Sequence, residues 1–455
     1  ILLDYHNNHV MIFSKRTEAH IMHSKKQPIL IYLTLFLSTT LIGSLLLCLP
    51  WSGQKPISFL DAMYVATSAF TVTGLATVDI TKQFNLLGDI VIMTLIQIGG
   101  MGIVTVSMLA LKFTQKSLSV RENILFQLEL NTEDARNYTF FLKSILLFNV
   151  IFEGIGTFIL SFVFVPQYGW DRGIFISLFT SISSLNNAGF ALFSDNLISY
   201  ATNPIVNLTV ALLIIFGGLG YIVLLDLVTL KRGRRLQFHS KITIMLTFIL
   251  ITVGAFCFWI LEMNGVLKSM TLPQQIQASL FQSITTRTAG FNTVDMSHLA
   301  PGTMLLMILL MFIGAGPMSA AGGIKVTTFA LVIAFVITIL KGHQHTQIFN
   351  RTIVRKQMEK ALAIAIAASS FVILIILLIS IAQPNLNFED LAFEVVSAFG
   401  TVGLSTGIST EYNSVAKILI ILTMIAGKIG VLTLLSVIQT PTRETFHYAK
   451  GHVYL

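Results

Sequence analysis

Charge is what this 455-residue chain has least of: Asp, Glu, Lys and Arg together make up 11% of it, against 54% hydrophobic residues. That poverty excludes an ordinary soluble globule, which carries about twice as many charges. The chain has only two cysteines, Cys48 and Cys257, each inside an apolar run, which excludes a disulfide scaffold or a thiolate metal centre. An intramembrane hydrolase would need a buried nucleophile with its base, or a paired-acid site. No HExxH pair occurs, and the ten histidines lie mostly in terminal or loop segments, so this reading is the weaker one. The glycine clusters GGMG (99–102) and GGLG (217–220) sit in apolar runs with no alternating strand pattern around them, so they are not dinucleotide fingerprints. No polar stretch is long enough to fold a nucleotide domain, so no organic cofactor is expected in this chain.

Long apolar runs are what the chain has in abundance. Residues 28–50, 90–111, 205–225, 242–261 and 361–383 each run without a charge for the length needed to cross the hydrocarbon core. Residues 144–166, 304–340 and 418–438 do so with one internal charge each, Glu153, Lys325 and Lys428. These runs predict eight spans. The apolar core of 28–50 is too long for a signal peptide. Of the 29 Lys and Arg, 21 fall in five places: the segment up to Lys26, residues 112–143, 231–241 and 341–360, and the tail after Pro441. With eight spans these places share one side, which the positive-inside rule makes the cytoplasm, with both termini there. The net charge of +8 therefore reports membrane topology and lipid contact, and it requires no nucleic-acid partner. Residues 1–27 read as a polar cytoplasmic segment, opening on Ile1 with Met11 and Met22 as alternative starts.

Between the spans lie four segments too short to cross: residues 57–74, 171–189, 274–290 and 387–403, each ending in glycine. Each reads as a half-helix that stops at TVTG, NNAG, RTAG or GTVG. Asp61 and Asp390 stand near the starts of the first and last, where a negative charge suits the helix dipole. The unit of span, half-helix, glycine loop and span thus recurs over residues 28–112, 141–230, 242–340 and 361–438, with residues 439–455 as a cytoplasmic tail. The expected fold is an all-α integral membrane protein of eight spans, with pseudo-fourfold symmetry around a central pore. Irregular backbone at membrane depth survives only where protein buries it or water reaches it, so the four loops should line that pore.

Backbone carbonyls can replace the hydration shell of a passing cation without trapping it, and glycine permits the angles that aim them at one axis. The ring is assigned to Gly74, Gly189, Gly290 and Gly403 with the residues just before them: Val72, Thr73, Asn187, Ala188, Thr288, Ala289, Thr401 and Val402. Asp79, Asp195 and Asp295 follow three of the loops, where they would line an outer vestibule and concentrate cations, or cap local turns. Arg287, three residues before Gly290, is expected to point backward and brace its loop.

The second span of the third unit contains IGAGPMSAAGGIK, in which Gly314, Gly316, Pro317, Ser319, Gly322 and Gly323 cannot all remain in regular helix and Lys325 adds a charge. The segment reads as an intramembrane loop beneath the ring that gates the pore, whereas GGMG and GGLG read as close-packing surfaces. Lys428, inside the last span, should face the pore or pair with a buried acid such as Glu153 or Glu394.

Four span, pore-loop, span units with one glycine each resemble the Ktr/Trk/HKT superfamily of potassium transporters, and within it the membrane subunit of a bacterial Ktr system. The resemblance covers nearly the whole chain from about residue 28. It implies potassium uptake across the cell membrane, with potassium held at Gly74, Gly189, Gly290 and Gly403. It also implies a homodimer with one pore per chain and a cytosolic ring of RCK-type nucleotide-binding subunits made by another polypeptide. The resemblance points to the same broken helix as the gate and to a basic residue at the position of Lys428. Plain glycine at Gly74 favours potassium, whereas some plant relatives with serine there pass sodium. The absence of GYG from every loop leaves sodium coupling or weak selectivity as the alternative.

Overall fold

The computed structural model describes residues 33–102, 138–230 and 235–431. The segment 1–27, most of the basic loop 112–143, residues 231–234 of the KRGRR run, and the tail 439–455 lie outside the described residues.

Most of the described backbone is helical. The first unit comprises α1 (Leu33–Cys48), α2 (Phe59–Thr71), a short α3 (Ile80–Gln83) and α4 (Leu86–Met101). The second has α5 (Tyr138–Tyr168), α6 (Trp170–Leu185), α7 (Pro204–Leu219) and α8 (Tyr221–Leu230). The third has α9 (Phe238–Glu262), α10 (Leu272–Thr285), α11 (Pro301–Phe312) and α12 (Val326–Leu340). The fourth has α13 (Arg355–Ala382), α14 (Phe388–Gly400) and α15 (Ser414–Ile429). A small antiparallel hairpin, β1 (Gln347–Ile348) and β2 (Arg351–Thr352), joins the third unit to the fourth.

Two of the four half-helices start on side-chain caps. Ser58 accepts from the Asp61 amide ahead of α2, and a reciprocal Thr271/Gln274 capping box opens α10. Long apolar side chains on the outer helices, such as Phe158, Phe248 and Ile373, face outward, whereas hydroxyls and amides concentrate inside around the loops. This inverts the pattern of a soluble protein and fits a hydrocarbon surround.

Eight apolar runs do not become eight straight helices. Among the described residues, three helices are long and apolar enough to cross alone: Lys143–Tyr168, Phe238–Glu262 and Arg355–Ala382. Among the described residues, the second helix of the third unit is interrupted at 313–325, and in the other three units the second helix stops on a glycine of nearly one conformation. Gly102 has φ 87 and ψ 135, Gly220 has φ 88 and ψ 148, and Gly430 has φ 91 and ψ 130. L residues avoid these angles, so the last glycine of GGMG and of GGLG is a helix stop as well as a neighbour in a close-packed surface. At Gly220 the chain bends by 99° between α7 and α8.

Candidate functional site

The four half-helices end three to five residues before Gly74, Gly189, Gly290 and Gly403, and the loops share one backbone pattern. The residue two before each glycine, Val72, Asn187, Thr288 or Thr401, has φ between 50 and 69, and the glycines themselves have φ between 71 and 96. The intervening Thr73, Ala188, Ala289 and Val402 are not in that region. This alternation turns successive peptide planes, so that neighbouring carbonyls face the same side instead of alternating.

The loops meet in cyclic order. A Cβ added to Gly74 would stand 2.5 Å from the Ala188 carbonyl, and one on Gly189 would stand 2.7 Å from that of Ala289. Gly290 faces the Val402 carbonyl and Gly403 faces that of Thr73 more tightly still. Each glycine therefore abuts the carbonyl preceding the next glycine, and the fourth closes on the first. Residues separated by a hundred or more positions form one carbonyl-lined ring, with the C-terminal ends of four helices converging on it.

Polar ties hold each loop to its half-helix, and the repeated SAF explains one kind. The hydroxyls of Ser68 and Ser397, each six residues before its glycine, accept from the amides of Gly74 and Gly403 at 3.0 Å. On the outer limbs the ties differ. Thr77 donates to Asp61 at 2.7 Å, Gln282 donates to Thr293 at 3.2 Å, and Ser405 donates to Glu394 at 2.7 Å. The Asn196 amide spans the second and third loops, 3.5 Å from the Gly189 carbonyl and 3.4 Å from that of Gly290. Arg287 turns away from the ring to Thr247 of α9 at 3.3 Å.

The second helices press on the ring from behind. A Cβ on Gly99, Gly217 or Gly427, each three residues before a glycine that stops its helix, would overlap the carbonyl of Phe70, Leu185 or Phe399 at the end of a half-helix. Glycine is required there by backbone-to-backbone contact.

Residues 313–325 form an irregular loop whose ends meet, the Gly314 amide donating to the Ile324 carbonyl at 2.8 Å. The loop reaches in two directions. Toward α7 and α8, Gly316 donates to Gly218 at 2.8 Å and Met318 accepts from the Tyr221 amide at 3.1 Å. Toward the fourth unit, Gly323 donates to Gly427 at 3.2 Å and Gly322 donates to the Thr401 hydroxyl of the ring at 2.8 Å. Backbone groups left open by the breaks in two neighbouring helices are thus satisfied by this loop. Pro317 and Ser319 form its turn, the Ser319 hydroxyl donating to Gly316 at 2.6 Å. Both lysines clamp it: Lys325 donates to the Ala321 carbonyl and Lys428 to that of Ala320. Glu153 accepts from Gln97 at 2.8 Å, and Glu394 accepts from Ser405 and Ser409.

The three outer acids all cap turns. Asp79 accepts from the Thr81 amide and pairs with Lys82 at 2.7 Å, Asp195 accepts from the Ser199 amide at 2.9 Å, and Asp295 accepts from the Ser297 amide at 2.9 Å. Hydrogen bonds from Ser297 and His298 hold the Asp295 carboxyl below the usual carboxylate range. For Asp79, burial pushes upward, but Lys82 and Thr81 outweigh it and the net shift is downward. Lys82 thus balances the charge of Asp79, and His298 lies 3.0 Å from Asp295.

Gly403 to Gly407 spells GxSxG, the letters of a hydrolase nucleophile elbow. That elbow needs a strand-to-helix turn and a histidine base. Ser405 instead leaves a helix-capped loop, and its hydroxyl donates to Glu394.

Comparison with known proteins places the chain in a family. The family model TrkH, described as a cation transport protein, matches residues 8–448. The chain is 41% identical over 421 residues to the Ktr system potassium uptake protein B of Bacillus subtilis (strain 168), covering 92% of this chain and 94% of that protein. It is 39% identical over 433 residues to the protein of the same name from Vibrio alginolyticus, covering 94% of each. Identity to the potassium/sodium uptake protein NtpJ of Enterococcus hirae is 34% over 418 residues, covering 90% of this chain and 93% of that one. Among solved structures, the potassium transporter TrkH from Vibrio parahaemolyticus superposes with a TM-score of 0.70 at 17% identity, covering 91% of this chain and 85% of that one, a likeness of fold.

Proposed function

Since the chain belongs to the TrkH family of cation transport proteins, we propose that it takes up potassium across the cell membrane through the ring of Gly74, Gly189, Gly290 and Gly403. It is a transport protein and not an enzyme, in keeping with the names of its relatives. The observation that carries the reading is the cyclic approach of each glycine to the carbonyl of the next loop. Such a ring offers oxygen ligands on all sides of one axis, which a dehydrating potassium ion requires. Val72, Thr73, Asn187, Ala188, Thr288, Ala289, Thr401 and Val402 supply the backbone of this selectivity filter. In this reading eight spans surround the pore in pseudo-fourfold order, with both termini cytoplasmic.

The membrane potential provides about 2.3 kcal/mol per charge per 100 mV, so inward potassium flux needs no ATP hydrolysis by this chain. Residues 313–325 serve as the gate, with Lys325 and Lys428 adding positive charge beside it. Asp195 and Asp295, with Asp79, form the cation-attracting vestibule. The active form is a homodimer on which a cytosolic RCK-type nucleotide-binding ring acts, docking on the basic cytoplasmic loops.

The test is rubidium and potassium flux into liposomes containing the purified chain. Absence of saturable flux from well-folded protein, with and without its co-purifying partner, would overturn the reading. Sodium transport is the second reading, favoured by the name of the NtpJ relative. Sodium flux measured in the same liposomes separates the two.

A further inference from the structure

Glu394 is wholly buried on α14, nine residues before Gly403, and it lines neither the ring nor the broken helix. Both of its carboxylate oxygens are engaged on the limb that leaves the ring. Ser405 donates to Oε2 at 2.7 Å, and Ser409 donates to Oε1. Ser405 in turn accepts from the Gly407 amide at 2.9 Å. On the inner side, Ser397 of the same helix holds the Gly403 amide at 3.0 Å. Residues 403–409 are therefore clipped to α14 on both sides of the fourth glycine. The phenols of Tyr64, from the first half-helix, and Tyr412 border the carboxylate in the same buried cluster.

The other units show that the fold does not need an acid at this register. Nine residues before Gly74, Gly189 and Gly290 stand Val65, Thr180 and Phe281, all buried. The first loop is tied by the partly exposed Asp61 and the third by the neutral Gln282. Burying a carboxylate inside a membrane protein is costly, and such groups mark functional positions. A carboxylate offers two acceptor oxygens, one for each hydroxyl, whereas the amide of a glutamine offers one oxygen and places a donor where the other stood.

We infer that Glu394 is the specificity-positioning residue of the fourth loop: by holding Ser405 and Ser409 it fixes how far the Gly403 limb stands from the ring axis, and hence how well the ring rejects sodium. This rests on the ring being the selectivity filter. A limb freed from its tie would let the carbonyls of that quadrant close onto a smaller ion.

The experiment compares rubidium and sodium flux in liposomes for the parent chain, Glu394→Gln, Ser405→Ala, Ser405→Thr and Gly74→Ser, each checked for a single folded species. Glu394→Gln should lower the rubidium-to-sodium ratio about tenfold, the cost of one hydrogen bond to a buried charge. Ser405→Ala should lower it in the same direction, and Ser405→Thr, which keeps the hydroxyl, should restore it. A purely structural tie would change protein yield or total flux and leave the ratio alone. If Glu394→Gln and Ser405→Ala keep the parent ratio while Gly74→Ser lowers it, the inference falls and the filter reading stands. If Gly74→Ser also keeps the ratio, the filter reading falls and takes the inference with it. Should Glu394→Gln fail to fold, the two Ser405 variants decide: equal ratios for alanine and threonine overturn the inference.

Discussion

Lys417 Nζ lies 2.6 Å from Asp61 Oδ1, joining α15 of the fourth unit to the start of α2 in the first. The two residues are 356 positions apart, and their side chains are 17% and 18% exposed. Asp61 also accepts from Thr77, so one carboxylate ties its own half-helix, the limb after Gly74 and the last unit together. The pair lies at the seam where the cyclic arrangement of units closes.

Breaking that seam should loosen the whole ring. Lys417→Met leaves a half-buried carboxylate without its cation and should cost about 1–3 kcal/mol. Thermal unfolding in detergent measures the loss. The double variant Asp61→Asn with Lys417→Met should be less destabilised than the sum of the single variants, since both remove one interaction. Strict additivity would show that the two residues do not act as a pair.

The glycines of the ring should tolerate a side chain in an order set by their neighbours. Gly74 and Gly189 leave 2.5 and 2.7 Å between an added Cβ and the next carbonyl, whereas Gly290 and Gly403 leave less. All four have positive φ, so each substitution adds backbone strain as well. Gly74→Ser should therefore retain flux and lose discrimination against sodium, while Gly403→Ser should lose flux outright. Rubidium and sodium uptake by the two variants checks this. A Gly403→Ser protein as active as Gly74→Ser would place Gly403 off the ion path.

The register of these glycines was legible in the sequence because each ends a half-helix, and helix ends leave letters. The helix stops at Gly102, Gly220 and Gly430 were not, because a glycine in an apolar run serves a close contact or a helix stop with the same letter. GGLG turned out to hold both, Gly217 against Leu185 and Gly220 at the bend. Glu394 was readable as a buried acid, but its partners depend on how residues 403–409 fold back, which no periodicity encodes. The Asp61–Lys417 pair depends on ring closure and lies beyond any local pattern.

The outer acids carry a pH prediction. Asp79 and Asp295 have native pKa values below the usual carboxylate range. For a lowered native value, the stabilisation is fully present above the unfolded value of about 3.9 and is lost as pH falls through the native one. These two caps should therefore hold unchanged from neutral pH down to about pH 5 and weaken only below about pH 4. Their charge should follow the same course. Asp295→Asn should lower uptake about twofold at low ionic strength and have little effect at high salt, where the field is screened. Uptake by the variant with the parent's salt dependence would remove Asp295 from the vestibule.

The loop of residues 313–325 should be a removable barrier. Its contacts are backbone hydrogen bonds to Gly218, Tyr221 and Gly427, one to the Thr401 hydroxyl, and the two lysine clamps on Ala320 and Ala321. At about 1 kcal/mol each, these bonds hold the loop in place while leaving it within reach of a few kcal/mol of differential binding from a cytosolic partner. Deleting residues 318–321 removes the carbonyls that Tyr221, Lys428 and Lys325 use, and should raise rubidium flux severalfold. Replacing Gly322 with a bulky residue should not, because the added side chain meets Thr401 at 2.6 Å and crowds the ring instead of opening the path below it. Flux in liposomes for both variants, with size-exclusion profiles to verify folding, is the measurement. Equal or lower flux from a well-folded deletion variant would make this loop a packing element that closes the helix breaks, and the barrier to ions would then have to lie at the ring itself.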